Sequence, residues 1–317
     1  MSSDFSQPDH HDKHLSAPID LGRVRALFSK PSVVADSAFL RREIASRMHE
    51  RLAVIKLEPK QVLDAGCGEG ADLSTLQKRF AQATILGIDA SYPMLQEAQV
   101  VQNDGLSAVN RLLQQWLPAR MGFGQDSLAS LACGNFAQLP LAGNAVDMVW
   151  SNLALHWHPQ PDAVFAEWRR VLRQDGLLMF SCFGPDTFKE LRTAFSHDGD
   201  RHVLPFVDMH DFGDMLVNAG FSTPVMDMEL LTITYGTVEK LLADVRAMGG
   251  NPLDTRLRGL QGRYAWQRVR DHLESLRRQE DGKIPLSVEV IYGHAFRPAP
   301  RVTAKGESII RFDLPRK

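Results

Sequence analysis

The stretch Val62-Leu63-Asp64-Ala65-Gly66-Cys67-Gly68-Glu69-Gly70 constrains this chain more than any other. A short apolar run (61–65) that breaks off into alternate glycines reads as a buried strand entering a tight turn. Glycine removes the Cβ where backbone must turn sharply and lie close to a ligand. A helix expected over 71–80 then offers its N-terminal amides to an electronegative group. Dinucleotide sites share this strand–glycine–helix plan, so the pattern alone is generic. Its acids are less so. Asp64 and Glu69 stand where a pyrophosphate needs neutral or positive surroundings, whereas a carboxylate suits a cationic amino group such as that of a methionine moiety.

Gly87-Ile88-Asp89 closes the next expected strand, 84–88. A carboxylate there accepts hydrogen bonds from both hydroxyls of a ribose, which supports an adenosine cofactor without choosing one. The competing reading is a helix-capping Asp before Ser91-Tyr92-Pro93. Further strands are expected at 128–132, 146–150 and 177–182, with a helix over 162–172 whose apolar face holds Val164, Phe165, Trp168, Val171 and Leu172. Such alternation indicates a mostly parallel sheet with right-handed crossovers. Ahead of it, Leu40, Ile44, Met48 and Leu52 recur every four residues, an amphipathic helix that packs on the domain.

After Cys182 the rhythm changes. Helical patterns occupy 186–196, 209–219, 237–248 and 254–278, and strands at 226–234 and 286–296 form a closing antiparallel pair. Residues 237–284 are then a helical lid between those strands. The domain spans 21–296, with a disordered polar tail at 1–20 and an extension at 297–317 that has a short strand pattern at 307–313. Residues 100–125 exceed the usual length of a βα connection and carry an amphipathic helix pattern. The net charge of −2 points to neither nucleic acid nor an anionic membrane. No apolar run is long enough to span a bilayer. Cys67, Cys133 and Cys182 are too scattered for a disulfide framework or a metal site, so none is expected, and the compartment expected is the reducing cytoplasm.

Two further strings complete the pattern: Ala132-Cys133-Gly134-Asn135-Phe136-Ala137-Gln138-Leu139-Pro140-Leu141 and Val146-Asp147-Met148-Val149-Trp150-Ser151-Asn152-Leu153-Ala154-Leu155-His156-Trp157. From 62 to about 182 the chain resembles class I S-adenosylmethionine-dependent methyltransferases, with four elements in the family's order. The resemblance implies a Rossmann-like, doubly wound α/β fold with a seven-stranded mixed sheet. It also implies S-adenosylmethionine as cofactor, held by Asp64, Gly66, Gly68, Gly70, Asp89, Asn135, Phe136 and Asn152. Asn135 departs from the family, which normally has an Asp there to accept from the adenine amine.

Ser151-Asn152-Leu153-Ala154-Leu155-His156-Trp157, Phe183-Gly184-Pro185-Asp186-Thr187-Phe188-Lys189-Glu190-Leu191-Arg192 and Arg246-Ala247-Met248-Gly249-Gly250 are more particular. They resemble the malonyl-acyl-carrier-protein O-methyltransferases of biotin synthesis. That implies methylation of the free carboxylate of malonyl on an acyl-carrier protein. A mitochondrial relative that hydroxylates an arginine and assists respiratory complex I assembly looks similar at Phe39 to Leu52 and after Asp281, and is one alternative; another small-molecule methyltransferase is the second. An ionised carboxylate needs no general base, so none is nominated. His156, Arg25, Arg192 and Arg246 are candidates for orienting the acceptor. Seven arginines from Arg256 to Arg278, against Asp271 and Glu274, form a candidate docking face for the acidic carrier.

Overall fold

The computed structural model describes residues 17–104, 128–198, 202–257, 259 and 262–299. Seven strands form one sheet in the order β3-β2-β1-β4-β5-β7-β6. They are β1 (Gln61–Ala65), β2 (Thr84–Asp89), β3 (Ser130–Cys133), β4 (Val146–Asn152), β5 (Leu172–Phe183), β6 (Ser222–Tyr235) and β7 (Ile284–Phe296). The first five run parallel, and β7 joins antiparallel to both β5 and β6. Strand order reverses between β1 and β4. A crevice therefore opens beyond the carboxyl ends of those two strands, where open α/β sheets bind ligands.

The central strands β1, β4 and β7 are covered on both faces and buried almost along their whole length, whereas the edge strands β3 and β6 are partly exposed. Their side chains still point alternately to opposite faces. Val62, Met148, Leu177 and Met179 join a core with α3 (Ala38–Leu52) and α4 (Leu73–Arg79). Leu63, Val149, Leu178 and Phe180 join another with α6 (Pro161–Val171) and α8 (Met209–Asn218). The expected stripe of α3 (Leu40, Ile44, Met48, Leu52) is wholly buried. The other helices are α1 (Leu21–Leu27), α2 (Pro31–Ala35), α5 (Tyr92–Asp104), α7 (Lys189–Ala194), α9 (Val238–Ala247) and α10 (Arg263–Ser275), with a 3-10 turn at Leu155–Trp157.

Three expectations change. The helix expected over 254–278 is confined to α10, because Gly259 and Gly262 interrupt it and Gly262 caps α10 in an extended conformation. The pattern at 186–196 shortens to α7 plus a 3-10 turn, since Phe188 ahead of it takes a left-handed conformation (φ 59°). Residues 17–20, assigned to the tail, are pinned instead. Ile19 bridges to Leu253, and the Asp20 amide donates to Pro252 O at 3.0 Å. Residues 1–16, the strand pattern at 307–313 and most of the 100–125 segment lie outside the described residues. Among the described residues no helix is long and apolar enough to cross a membrane.

Candidate active site

The turn after β1 is fixed by its first glycine. Gly66 takes φ +84°, donates its amide to Ile88 O at 2.8 Å, and leaves no room for a side chain: an added Cβ would lie 2.4 Å from Ala154 Cβ. The loop after β1 thus lies against the loop after β4. Next to it, the Gly68 amide donates to Asp89 Oδ2 at 3.0 Å and the Ser91 amide to Oδ1 at 2.8 Å. Asp89 therefore does cap its own turn, and both oxygens keep a further lone pair for a ligand. Burial raises its pKa, while the two amides pull the other way.

Behind this turn sits an excess of negative charge. Asp64 and Asp72 are buried, and burial is the main reason both have raised pKa values. Asp72 is compensated in part: its Oδ2 accepts from Trp150 Nε1 at 3.0 Å and Asn152 Nδ2 at 3.1 Å. Asp64 accepts no hydrogen bond among the described residues, and Asp72, Asp89 and Glu69 push its pKa further up. Glu69 pairs with Arg41 at 2.7 Å, and that guanidinium is also bound to Ser37 Oγ and Val34 O. One arginine thus faces four carboxylates. An uncompensated buried carboxylate in such a cluster invites a cationic group.

Gly66, Gly68, Glu69, Asp89, Phe136 and Trp157 line a cleft of about 610 Å³ above these acids. Its roof is α1, through Val24, Arg25 and Phe28. The Asp20 side chain caps α1 by accepting from Arg23 N at 3.0 Å, and Arg23 Nε donates to Asn251 O at 2.9 Å. Ser91 Oγ donates to Phe28 O at 2.9 Å, and the Phe28 ring meets Trp157 edge-on at 5.5 Å. An adjoining cleft of about 810 Å³ holds Asn135, Phe136, His158 and again Arg25. There Asn135 Oδ1 accepts from Ala137 N at 2.9 Å, closing a local turn. Trp168 Nε1 donates to Phe136 O at 3.1 Å and so ties this loop to the core.

On the other side of Trp157 lies a third cavity, about 740 Å³, walled by Phe188, Leu191, Phe206, Val245, Arg246 and Trp266 among others. Among the described residues no Asp or Glu lines it. Trp157 is common to all three cavities.

The residues singled out in the sequence fall into distinct places. Gly66, Gly68, Asp89, Phe136 and Asn152 line the first cleft, and Asn135 the adjoining one. Asp64 lines none of the three, and Gly70 packs against Ala98. The Asn152 amide is already engaged: its nitrogen donates to Arg41 O and Asp72, and its oxygen accepts from Ser181 Oγ at 2.9 Å. His156 lines none of the three. It is fully buried among Trp157, Phe183 and Phe206, and desolvation lowers its pKa to about 3. Arg192 is spent on the carbonyls of Pro185 and Thr187, at 3.0 and 3.3 Å. Sequence reasoning did not find Arg41 or the roof. Arg41 is one polar residue on a helix face, and the only local signal for α1 is its Asp cap.

Residues 63–180 match a methyltransferase domain family. The malonyl-[acyl-carrier protein] O-methyltransferase of Laribacter hongkongensis is 45% identical over 92% of this chain and 96% of its own length. That of Gallionella capsiferriformans is 45% identical over the same shares, and that of Legionella pneumophila 37% identical over 85% and 88%. Among solved structures, a proposed methyltransferase of Bacillus halodurans superposes with a TM-score of 0.55 at 17% identity, covering 80% of this chain and 99% of that one. YcgJ of Bacillus subtilis does so with 0.52 at 13%, covering 80% and 98%. These two likenesses bear on the fold alone. By its similarity to relatives along nearly their whole length, this chain belongs to the malonyl-[acyl-carrier protein] O-methyltransferase family.

Proposed function

We propose that this chain transfers a methyl group from S-adenosylmethionine to the free carboxylate of malonyl carried on an acyl-carrier protein, an early step in biotin synthesis. One observation carries the reading: Trp157 separates an acid-rich cleft from a largely apolar cavity that no acid lines among the described residues. The first suits a cationic donor and the second an anionic acceptor.

When bound, S-adenosylmethionine supplies an electrophilic sulfonium methyl. Asp89 accepts from the ribose hydroxyls, and Asp64, backed by Asp72 and Glu69, favours the donor's positive charge. Phe136 faces the adenine, and Asn135 offers an amide to its edge. α1 with Phe28 closes the cleft against water. The acceptor carboxylate is ionised at neutral pH and needs no base. The protein groups agree with that. His156 is held neutral, and burial pushes the Cys67 and Cys182 thiols well up, so neither acts as a nucleophile. Catalysis then rests on alignment and on a dry pocket. Methyl transfer neutralises both a carboxylate and a sulfonium, so low polarity favours the transition state over the separated charges.

The carrier docks on α10. Of the seven arginines expected there, Arg256 donates to Leu253 O, and Arg270, Arg277 and Arg278 pair with Glu239, Glu274 and Asp281. Arg258 lies outside the described residues. Arg263 and Arg268 are exposed and have no side-chain partner among the described residues, which leaves them for an acidic partner.

Incubation with methyl-labelled S-adenosylmethionine and malonyl-carrier protein tests the reading. Label should appear on the carrier, be released by mild base as expected of an ester, and not appear on acetyl-carrier protein. No transfer to malonyl-carrier protein would overturn it.

A further inference from the structure

We propose that Arg246 is the specificity-determining cation of the acceptor cavity, pairing with the carboxylate that is to be methylated. The inference rests on the function proposed above and assigns a role within it. Three arginines are candidates from the sequence, and their surroundings separate them. Arg192 is occupied by two carbonyls, and Arg25 lines the two donor-side clefts. Arg246 lines the cavity beyond Trp157, within a largely apolar wall. Its guanidinium has no partner among the described residues. The nearest acid along its helix, Asp244, is taken by Lys240 at 2.7 Å. An arginine set in an apolar wall with no carboxylate lining it is a receptor for an anion.

The position of Arg246 is fixed relative to the partition. It lies in the last turn of α9, where the Gly249 amide donates to Arg246 O at 3.3 Å. Gly249 (φ +121°) abuts the Trp157 ring so closely that an added Cβ would be 2.4 Å from it. The helix end carrying the cation therefore packs directly on the wall between donor and acceptor. A carboxylate held through one oxygen keeps the other free to attack.

The reaction's charge balance says what this pairing does. A carboxylate oxygen lone pair forms the new O–CH3 bond as the S–CH3 pair withdraws to sulfur. No proton moves, and a carboxylate and a sulfonium become a neutral ester and a thioether. The ion pair is strongest before the reaction and gone after it. Arg246 therefore governs acceptor affinity and selection and lets the ester leave, with little effect on the chemical step.

Binding of malonyl- and acetyl-carrier protein to the full chain with S-adenosylhomocysteine present, by calorimetry, tests this. The wild type should prefer malonyl by about tenfold, as one charge-assisted contact at a partly open site gives. Arg246→Gln should bring the two affinities within about twofold while leaving the acetyl affinity unchanged, and Arg246→Lys should keep part of the preference. In turnover, Arg246→Gln should raise KM for malonyl-carrier about tenfold and change kcat less than about threefold. A preference retained in Arg246→Gln, or a loss confined to kcat, would overturn the proposal. Should the wild type fail to methylate malonyl-carrier protein, the proposed function falls; should it succeed while Arg246→Gln keeps its KM, only Arg246 loses its role.

Discussion

The donor and acceptor sides of Trp157 are built on opposite principles. On the donor side most polar groups are held by other protein groups: Asp89 by two backbone amides, Asn152 by three partners, Arg41 by Glu69, Ser37 and Val34. The acceptor cavity is mostly side-chain apolar surface, walled by elements that come late in the chain and by the turn after α9. On the proposed assignment, the donor would be met by strand ends of the sheet and the acceptor by additions to it. The segment 17–28 joins the two, roofing the donor cleft while bonded to residues 251–254.

If this division is real, damage on one side should leave the other intact. The largest effect is expected at Asp89. Asp89→Ala removes the charged acceptor for two backbone amides and for a ribose, and donor affinity should fall on the order of 1,000-fold, since each hydrogen bond to a charged group contributes about 1.5–3 kcal/mol. Carrier affinity, measured separately by calorimetry, should stay within about twofold. A parallel loss of carrier binding would mean that the two sides are not independent.

Gly66→Ala addresses the scaffold rather than the ligand. The clash with Ala154 and the left-handed backbone together should cost about 3 kcal/mol in urea unfolding. Ala154→Gly in the same chain should return the steric part and leave about 1 kcal/mol of backbone strain. If the second change recovers nothing, the contact between the two loops does not set the donor cleft.

The same division explains what was legible in the sequence. The donor side is built from short contiguous segments at strand ends, so Gly66, Gly68 and Asp89 could be named from local pattern, Phe136 from the family resemblance, and a mostly parallel sheet from βα alternation. Arg41 and the α1 roof reach the cleft from elsewhere in the chain, held by single bonds such as Arg23 to Asn251 O that leave no periodic trace. The lid helix was overextended because Arg-rich amphipathic spacing continues across Gly259 and Gly262. His156 is a candidate for orienting the acceptor from the sequence, though Trp157 beside it favours a structural role, and its neighbours are indeed aromatic rings. Burial depends on tertiary packing, which a dipeptide does not encode.

Acid titration should separate the buried acids from the buried histidines by sign. Asp64, Asp72 and Asp89 have pKa values raised on folding, so the folded protein holds more protons than the unfolded chain above the usual carboxylate range. Their contribution to stability falls as pH rises through that window. His156 does the reverse. Its pKa is about 3 folded against an ordinary value of 6.5, so its contribution is complete above 6.5 and is lost as pH falls toward 3. At pH 5 that loss is about 2 kcal/mol relative to pH 7.5. His49, lowered to about 4, adds a loss of the same sign. His156→Phe should therefore unfold less readily at pH 5, relative to its own stability at pH 7.5, than the wild type does. An unchanged pH profile would show that the imidazole is not held neutral.

The smallest effect belongs to the docking face, and it is the one that asks whether the acceptor side reaches beyond its cavity. Arg263 and Arg268 are exposed and unpaired among the described residues, so removing them breaks no internal contact. Each exposed charge contributes under about 1 kcal/mol to a complex, screened over about 10 Å at 0.1 M salt. Arg263→Ala with Arg268→Ala should raise KM for the carrier about fivefold at low salt, with kcat and donor affinity unchanged. The difference from wild type should shrink as salt is added, because only a screened interaction has been lost. Arg270→Ala is the internal comparison: its charge is already paired with Glu239, and its removal should matter less. Equal effects from all three positions would mean that net charge, not a defined face, steers the carrier. A salt-independent loss from the double change would place Arg263 and Arg268 in the folded scaffold instead.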